Sequence, residues 1–424
     1  MNTILSHECT CRPEPLISPF GFKGSTLTEL WQVVCRLWDS EGHHGIGLGV
    51  QSVLWSDSAV FARLGQEQGN QLMLSMTRHA LLLLEGRPLS RPDLMLHDLI
   101  PALWEYGRRK SGLKNLRLTF VLNALTPVDW ALWQLYAKAC GCLQLTRLAA
   151  PITSALSCRQ PLLGGIPLIS YGTSPEEILR LAEEGAFLYK IKIGSAPEGP
   201  HQLDAMLEWD CRRLLDIHKL VSGRATTHTH CGHPMYYLDA NGRYDSPERV
   251  ERLLDFASRQ GFLDRILLLE EPFAEDSLQN VRHLPVSVVG DESAHSADDA
   301  RRLIEEYGYS AMALKPVAKT LSVTLEVLEV ARQHRIPCFC ADLTVNPAMT
   351  EYNKALAARL PLLPGLKCGV MESNGAQNYL AWDRMLSEDP AAGESWALPA
   401  KGLYRLNHDF FQNDGGIWRD VLSP

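Results

Sequence analysis

Four apolar runs between Met235 and Val317 each end in a charged residue that such runs normally exclude. They read MYYLDANG, ILLLEEP, VSVVGDES and AMALKPV, and their ends carry Asp239 with Asn241, Glu270 with Glu271, Asp291 with Glu292, and Lys315. An earlier run, FLYKIKIG, places Lys190 and Lys192 two residues apart. Side chains alternate along a strand, so Lys190 and Lys192 share a side, as do Asp239 and Asn241. Carboxylates converging from three successive strands make an all-oxygen site for a hard divalent cation. Lysines flanking it suit removal of a proton from the carbon next to a carboxylate. The cation absorbs the charge that develops, and a lysine serves as base because partial burial and a neighbouring cation both depress its pKa.

These residues need a scaffold that gathers strand ends at one point. Short β-rich runs at 166–172, 187–194, 235–242, 266–272, 286–293, 311–317, 337–343 and 366–373 make eight strands. Amphipathic stretches such as SPEEILRLAEEG and SPERVERLLDFASRQG lie between them, several opening on a capping Ser or Thr. The fold class expected is α/β, a (β/α) barrel of the TIM type behind an N-terminal α+β capping domain. In such a barrel the second and sixth strands are opposite, so Lys192 and Lys315 face each other across a site walled by Asp239, Glu270 and Asp291.

Residues 1–150 form the α+β part, with two strands around SEGHHG, helices over Ser58–Leu84 and Pro92–Arg109, and a long buried helix near 116–141 in which Pro127 marks a kink or a fresh first turn. The barrel takes 151–390, and a tail, 391–424, packs back on the first domain. A net charge of -8 gives no basic footprint for nucleic acid or anionic lipid. No run approaches a membrane span and the start lacks an export signal, so a cytoplasmic location is expected. Eleven scattered cysteines, without a CxxC pair, read as reduced thiols.

The chain resembles the enolase superfamily, and within it the muconate-lactonizing and mandelate-racemase-like enzymes. KIKIG matches the Lys-x-Lys of the second strand, DANG, EEP and GDES the ligand strands, and ALKP the sixth-strand lysine. The resemblance implies Mg²⁺ on Asp239, Glu270 and Asp291, with Glu271 the alternative to Glu270, and Lys192 and Lys315 as acid and base. It makes Lys190, Asn241 and Glu292 the supports that hold those groups in place. PFGFKG, with Phe22, and HHGIGLG resemble capping loops that close over substrate. Tyr171, Asp342, Glu372 and Asn374 at strand ends are further candidates for substrate contact. Dipeptide epimerases of this group carry Asp-x-Asp on the eighth strand, whereas here it ends VMESNG.

One Asp after an apolar strand is more often a helix cap than a ligand. Three on consecutive barrel strands with lysines on both flanks reverse that preference. His228, His230, Cys231 and His233 have the residue types of a zinc site but sit on one loop without partner spacing elsewhere, which favours a solvated or interface loop. The expected activity is Mg²⁺-dependent racemisation or epimerisation of a small carboxylate through an enediolate. Dehydration, cycloisomerisation and a barrel without catalysis are the alternatives. Relatives imply a homo-oligomer.

Overall fold

The structure, a computed structural model, describes residues 2–22, 25–195 and 202–420. The N-terminal domain opens on an antiparallel meander of β1 (Ile4–Phe22), β2 (Ser25–Asp39) and β3 (His44–Gln51), in that order. The two strands around SEGHHG are β2 and β3. The long β1 has no counterpart in the sequence reading, because Pro13, Pro15 and Pro19 interrupt any β pattern. Prolines are tolerated on an edge strand, which is where β1 lies.

Helices α1 (Val53–Ser56), α2 (Ser58–Leu84), α3 (Pro92–Ser111), α4 (Leu118–Ala139) and α5 (Leu145–Ala149) complete this half. Helix α4 lies on β3 along the alternating glycines of HGIGLGVQ. A Cβ on Gly47 would stand 2.0 Å from the Pro127 carbonyl oxygen, and one on Gly45 would stand 2.1 Å from that of Ala131. Pro127 therefore does not open a fresh helix, the second of the two placements expected. It sits mid-helix at this close approach, where burial on both sides offsets the hydrogen bond it cannot make.

The second half alternates strand and helix. Strands β4 (Leu162–Ile166), β5 (Leu168–Ile169), β6 (Leu188–Lys192), β7 (Met235–Asp239), β8 (Ile266–Glu270), β9 (Ser287–Gly290), β10 (Ala311–Leu314), β11 (Cys338–Cys340) and β12 (Gly369–Glu372) run parallel. The first barrel strand begins earlier than expected and is cut in two at Pro167, which has no N–H to continue a ladder. Its first piece, β4, pairs with β12, and its second, β5, pairs with β6. That strand thus touches both the second and the eighth, and the sheet curls round on itself.

Helices α6 (Pro175–Glu183), α7 (Leu203–Val221), α8 (Pro247–Arg259), α9 (Ala297–Arg302), α10 (Leu321–His334) and α11 (Pro347–Ala357) lie between strands. Ser174, Ser246, Ser296 and Thr320 cap α6, α8, α9 and α10 through their side-chain oxygens, as the sequence suggested. The tail adds β13 (Leu403–Arg405) antiparallel to β4. It then reaches the N-terminal domain, where Asp420 meets His44 at 2.8 Å and Lys138 at 2.6 Å. Among the described residues no helix is long and apolar enough to cross a membrane.

Candidate active site

Parallel register brings the charged strand ends level. Lys192 is the last residue of β6, Asp239 of β7 and Glu270 of β8, and the ladder pairs Lys192 with Asp239 and Asp239 with Glu270. Asp291 and Lys315 follow β9 and β10 directly. All five are buried.

Lys192 Nζ donates to Asp239 Oδ2 and Asn241 Oδ1, both at 2.6 Å, and Asn241 Nδ2 donates to Glu292 Oε1 at 3.0 Å. Lys190 Nζ lies 3.0 Å from Asp239 Oδ2, 2.7 Å from Glu270 Oε2 and 2.8 Å from Glu372 Oε1. Across the floor Lys315 Nζ pairs with Asp291 Oδ2 and stands 4.4 Å from the Trp55 ring centroid. Three strands, β7 to β9, lie between β6 and β10, so the two candidate proton carriers stand on opposite walls.

The acid cluster fits a divalent cation. Glu270 Oε1 and Glu292 Oε2 are buried without a hydrogen-bond partner, and Asp291 Oδ1 has only an ion pair with Lys319 at 3.2 Å, an arrangement that costs free energy unless positive charge serves those oxygens. Glu270, Asp291 and Glu292 can each offer an oxygen within 4.8 Å of the others. This trio differs from the expected one by Glu292 in place of Asp239, whose Oδ2 is held between two ammonium groups. Glu271 turns away: its Oε1 accepts from Asp291 N at 2.6 Å, Ser293 N at 3.0 Å and Ser293 Oγ at 2.6 Å, bracing the loop after β9.

The electrostatics reverse one expectation. Burial disfavours the Lys315 ammonium, but Asp291 and Glu292 outweigh it and hold the pKa above the ordinary lysine value rather than depressing it. Burial likewise opposes ionisation of Asp239 and Asp291, and the neighbouring lysines overcome it in both. Glu270 is pushed well up by burial and by Asp239.

Above this floor is a cavity roofed by Leu16, Leu27, Leu30 and Trp55 of the N-terminal domain. Asp342, Glu372 and Asn374 line it. Glu372 is already engaged, with Oε1 on Lys190 and Oε2 on Asp342 N at 3.0 Å. Asp342 braces the loop after β11, accepting from Leu343 N at 2.8 Å and from Asn374 N at 2.9 Å. Asn374 Oδ1 is buried without a partner. Tyr171 lies outside this cavity. The first strand ends sooner than the sequence implied, and the Tyr171 hydroxyl donates to Ile193 O at 3.0 Å. Phe22 ends β1, and its side chain lies outside the described residues.

The loop with His228, His230, Cys231 and His233 precedes β7 at the opposite end of the barrel, bridging to Leu366, and among the described residues it forms no metal-binding group. Three participants escaped the sequence reading. Tyr237, whose hydroxyl donates to Glu270 Oε2, is two residues before Asp239 and could have been found from strand alternation. Lys319 Nζ lies 3.2 Å from Asp291 Oδ1 on a turn without periodicity. Trp55 comes from the other domain.

Residues 175–393 match the family model described as enolase C-terminal domain-like. The L-Ala-D/L-amino acid epimerase of Populus trichocarpa is 23% identical over 365 residues, covering 84% of this chain and 72% of its own. A mandelate racemase/muconate lactonizing enzyme from Roseiflexus sp. superposes with a TM-score of 0.67 at 19% identity, covering 100% of this chain and 99% of its own. The 2-chloromuconate cycloisomerase of Rhodococcus opacus 1CP gives 0.65 at 20% identity, covering 95% and 94%. The order of domains, the strand-end acids and lysines and these likenesses together make the chain a member of the enolase C-terminal domain-like family, of the mandelate racemase/muconate lactonizing kind within the enolase superfamily.

Proposed function

We propose that this protein is a Mg²⁺-dependent racemase or epimerase of a small carboxylate, with Lys192 and Lys315 exchanging the proton on the carbon next to the carboxylate. The observation that carries the reading is the pair of buried lysines on opposite walls of one cavity, each held by an acid of the floor between them. The naming of the Populus relative as an epimerase supports the same choice over elimination.

Asp239, Glu270 and Asp291 would hold the ion, with Glu292 offering a further oxygen. A divalent cation there supplies positive charge to a substrate carboxylate as the α-carbon loses its proton, which is where stabilisation is needed. Carboxylates that held the ion would give the Lys315 ammonium less support, which would favour the neutral lysine a base requires. Lys192 then serves one face of the α-carbon and Lys315 the other, one accepting a proton while the other returns one. Lys190 and Asn241 fix the Asp239 carboxylate and the Lys192 ammonium. The leucines of the roof keep bulk water from the reacting carbon.

Enantiomer pairs of N-acetylated amino acids, 2-hydroxy acids and unblocked dipeptides, incubated with enzyme and Mg²⁺ in D₂O, test the proposal. Deuterium entering the α-position with inversion is expected for at least one pair. Release of water or ring closure without inversion would transfer the site to a lyase or cycloisomerase, and no exchange anywhere would remove the catalytic reading.

A further inference from the structure

Helix α4 of the N-terminal domain turns three side chains within little more than one turn, Asp129, Trp130 and Trp133, onto the loop that follows β10 and the start of α10. All three are fully buried. Trp130 Nε1 donates to the carbonyl of Pro316, the residue after Lys315, at 3.0 Å. At the far end of the loop Asp129 Oδ2 accepts from Leu321 N at 2.8 Å and Ser322 N at 3.1 Å, and Oδ1 accepts from Ser322 Oγ at 2.6 Å. Trp133 Nε1 donates to that same hydroxyl at 2.9 Å. A carboxylate of one domain thus serves the orphan N–H groups that begin α10 in the other.

The segment between these two anchors is strained. Thr320 has φ 70° and ψ 155°, a region that residues with a side chain seldom enter. Such a conformation persists where its surroundings over-determine it, and here the restraints are its own cap to Val323 N and the Asp129 carboxylate on the next two N–H groups. Two lysines project from the same segment. Lys315 reaches Asp291 Oδ2, while Lys319 reaches the Asp291 carbonyl and that of Ala294, the latter at 3.1 Å. A shift of this loop therefore moves the Lys315 ammonium relative to the acid floor. Lys192, on the opposite wall, hangs from β6, where Asp239 and Asn241 accept from its Nζ.

We infer that Asp129 is a positioning residue for Lys315, holding the loop from Lys315 to Ser322 in the strained form that places the ammonium at one face of the substrate. The inference rests on Lys315 being a proton carrier. Its consequence is asymmetric, since a displaced loop moves the Lys315 ammonium itself, whereas the Lys192 face feels the change only through Asp291. Misplacement of a reacting group by about 1 Å costs on the order of 10²-fold in rate.

The test compares full-length wild type with Asp129→Asn and, because the first change is buried, with Trp130→Phe, which keeps an aromatic ring but loses the bond to Pro316. For the enantiomer pair that exchanges fastest in the D₂O screen, Lys192→Ala and Lys315→Ala first establish which enantiomer each lysine serves. Expected for both test variants is a fall of about 10-fold to 10²-fold in kcat for exchange of the Lys315 enantiomer with KM little changed, and a clearly smaller fall for the other. Peptide-resolved amide exchange without substrate should show faster deuteration over 315–325 and unchanged protection over β6 and β7. Equal slowing of both enantiomers, or a 315–325 segment as protected as in wild type, overturns the inference. If wild type exchanges no α-proton at all, the proposed function fails instead, and the amide-exchange arm still decides whether Asp129 holds the loop.

Discussion

Lys190 of the second barrel strand and Glu372 of the eighth are joined past the short first strand, Nζ to Oε1 at 2.8 Å, while the other oxygen of Glu372 accepts from Asp342 N. The two eighth-strand positions with the spacing of a dipeptide epimerase's Asp-x-Asp are therefore Glu372, committed to a lysine, and Asn374, which carries no charge. Unblocked dipeptides should then turn over poorly, because a buried ammonium without an anionic partner costs several kcal/mol. We expect kcat/KM for Ala-Glu type dipeptides at least about 10²-fold below that of their N-acetylated forms. Efficient turnover of the free dipeptides would show that Glu372 or Asp342 leaves its present partners to receive them.

The opposed lysines predict split activities. Lys192→Ala and Lys315→Ala should each stop inversion of both enantiomers, since inversion needs both faces. Each should still exchange the α-proton of the enantiomer served by the lysine that remains. If one lysine alone supports exchange of either enantiomer and loss of the other merely slows it by about 10²-fold to 10³-fold, as for a lost electrostatic contact, the two-base mechanism is wrong.

The metal prediction follows from the buried, partnerless carboxylate oxygens. Mg²⁺ should raise the Tm of wild type, a ligand at 100 times its Kd being worth about 2.7 kcal/mol. Asp239→Asn and Asp291→Asn should lose both this shift and activity while remaining folded, because an amide cannot supply the anionic charge a hard cation needs. Full activity in enzyme stripped with EDTA would contradict the assignment.

Stability should fall on both sides of a mildly acidic optimum. Burial raises the Asp129 and Asp210 carboxyls from 3.8 to about 7, against hydrogen bonds that favour their ionised forms. The folded protein keeps these protons after the unfolded chain has released them, so stability is lost as pH rises from 3.8 towards 7, on the order of a few kcal/mol per group. Glu275 behaves oppositely. Burial would raise it, but His295 and Arg117 bring it down from 4.5 to about 2, so its contribution is present above 4.5 and disappears as pH falls to 2. Urea unfolding across this range measures both limbs. Asp210→Asn should flatten the neutral-side slope, and an unchanged slope would show that Asp210 does not carry it.

Much of the site was legible because strand ends are written locally. An apolar run that stops on an acid or a lysine identifies both a β-strand and a residue at its C-terminal end, and alternation assigns a face, which is why Asp239, Glu270, Asp291, Lys192 and Lys315 could be named together. The same locality misled at Tyr171 and left the placement of Pro127 open between a kink and a first turn. A proline cut the first strand early, and glycines on a distant strand let a helix run through a residue that ordinarily ends one.

The chain by itself determined the charged strand ends of the second to sixth barrel strands, its helix caps and the residue types at the floor of the cavity, since each depends on a few neighbours in sequence. Only the tertiary structure decided how those charges share partners: Asp239 between two lysines, Glu271 bracing a loop, Glu292 turned toward Glu270 and Asp291, and Trp55 and Asp129 brought from the other domain to Lys315 and its loop. Ion pairs and buried hydrogen bonds depend on distances of a few ångströms between residues as far apart as 190 and 372, and no local pattern carries that separation.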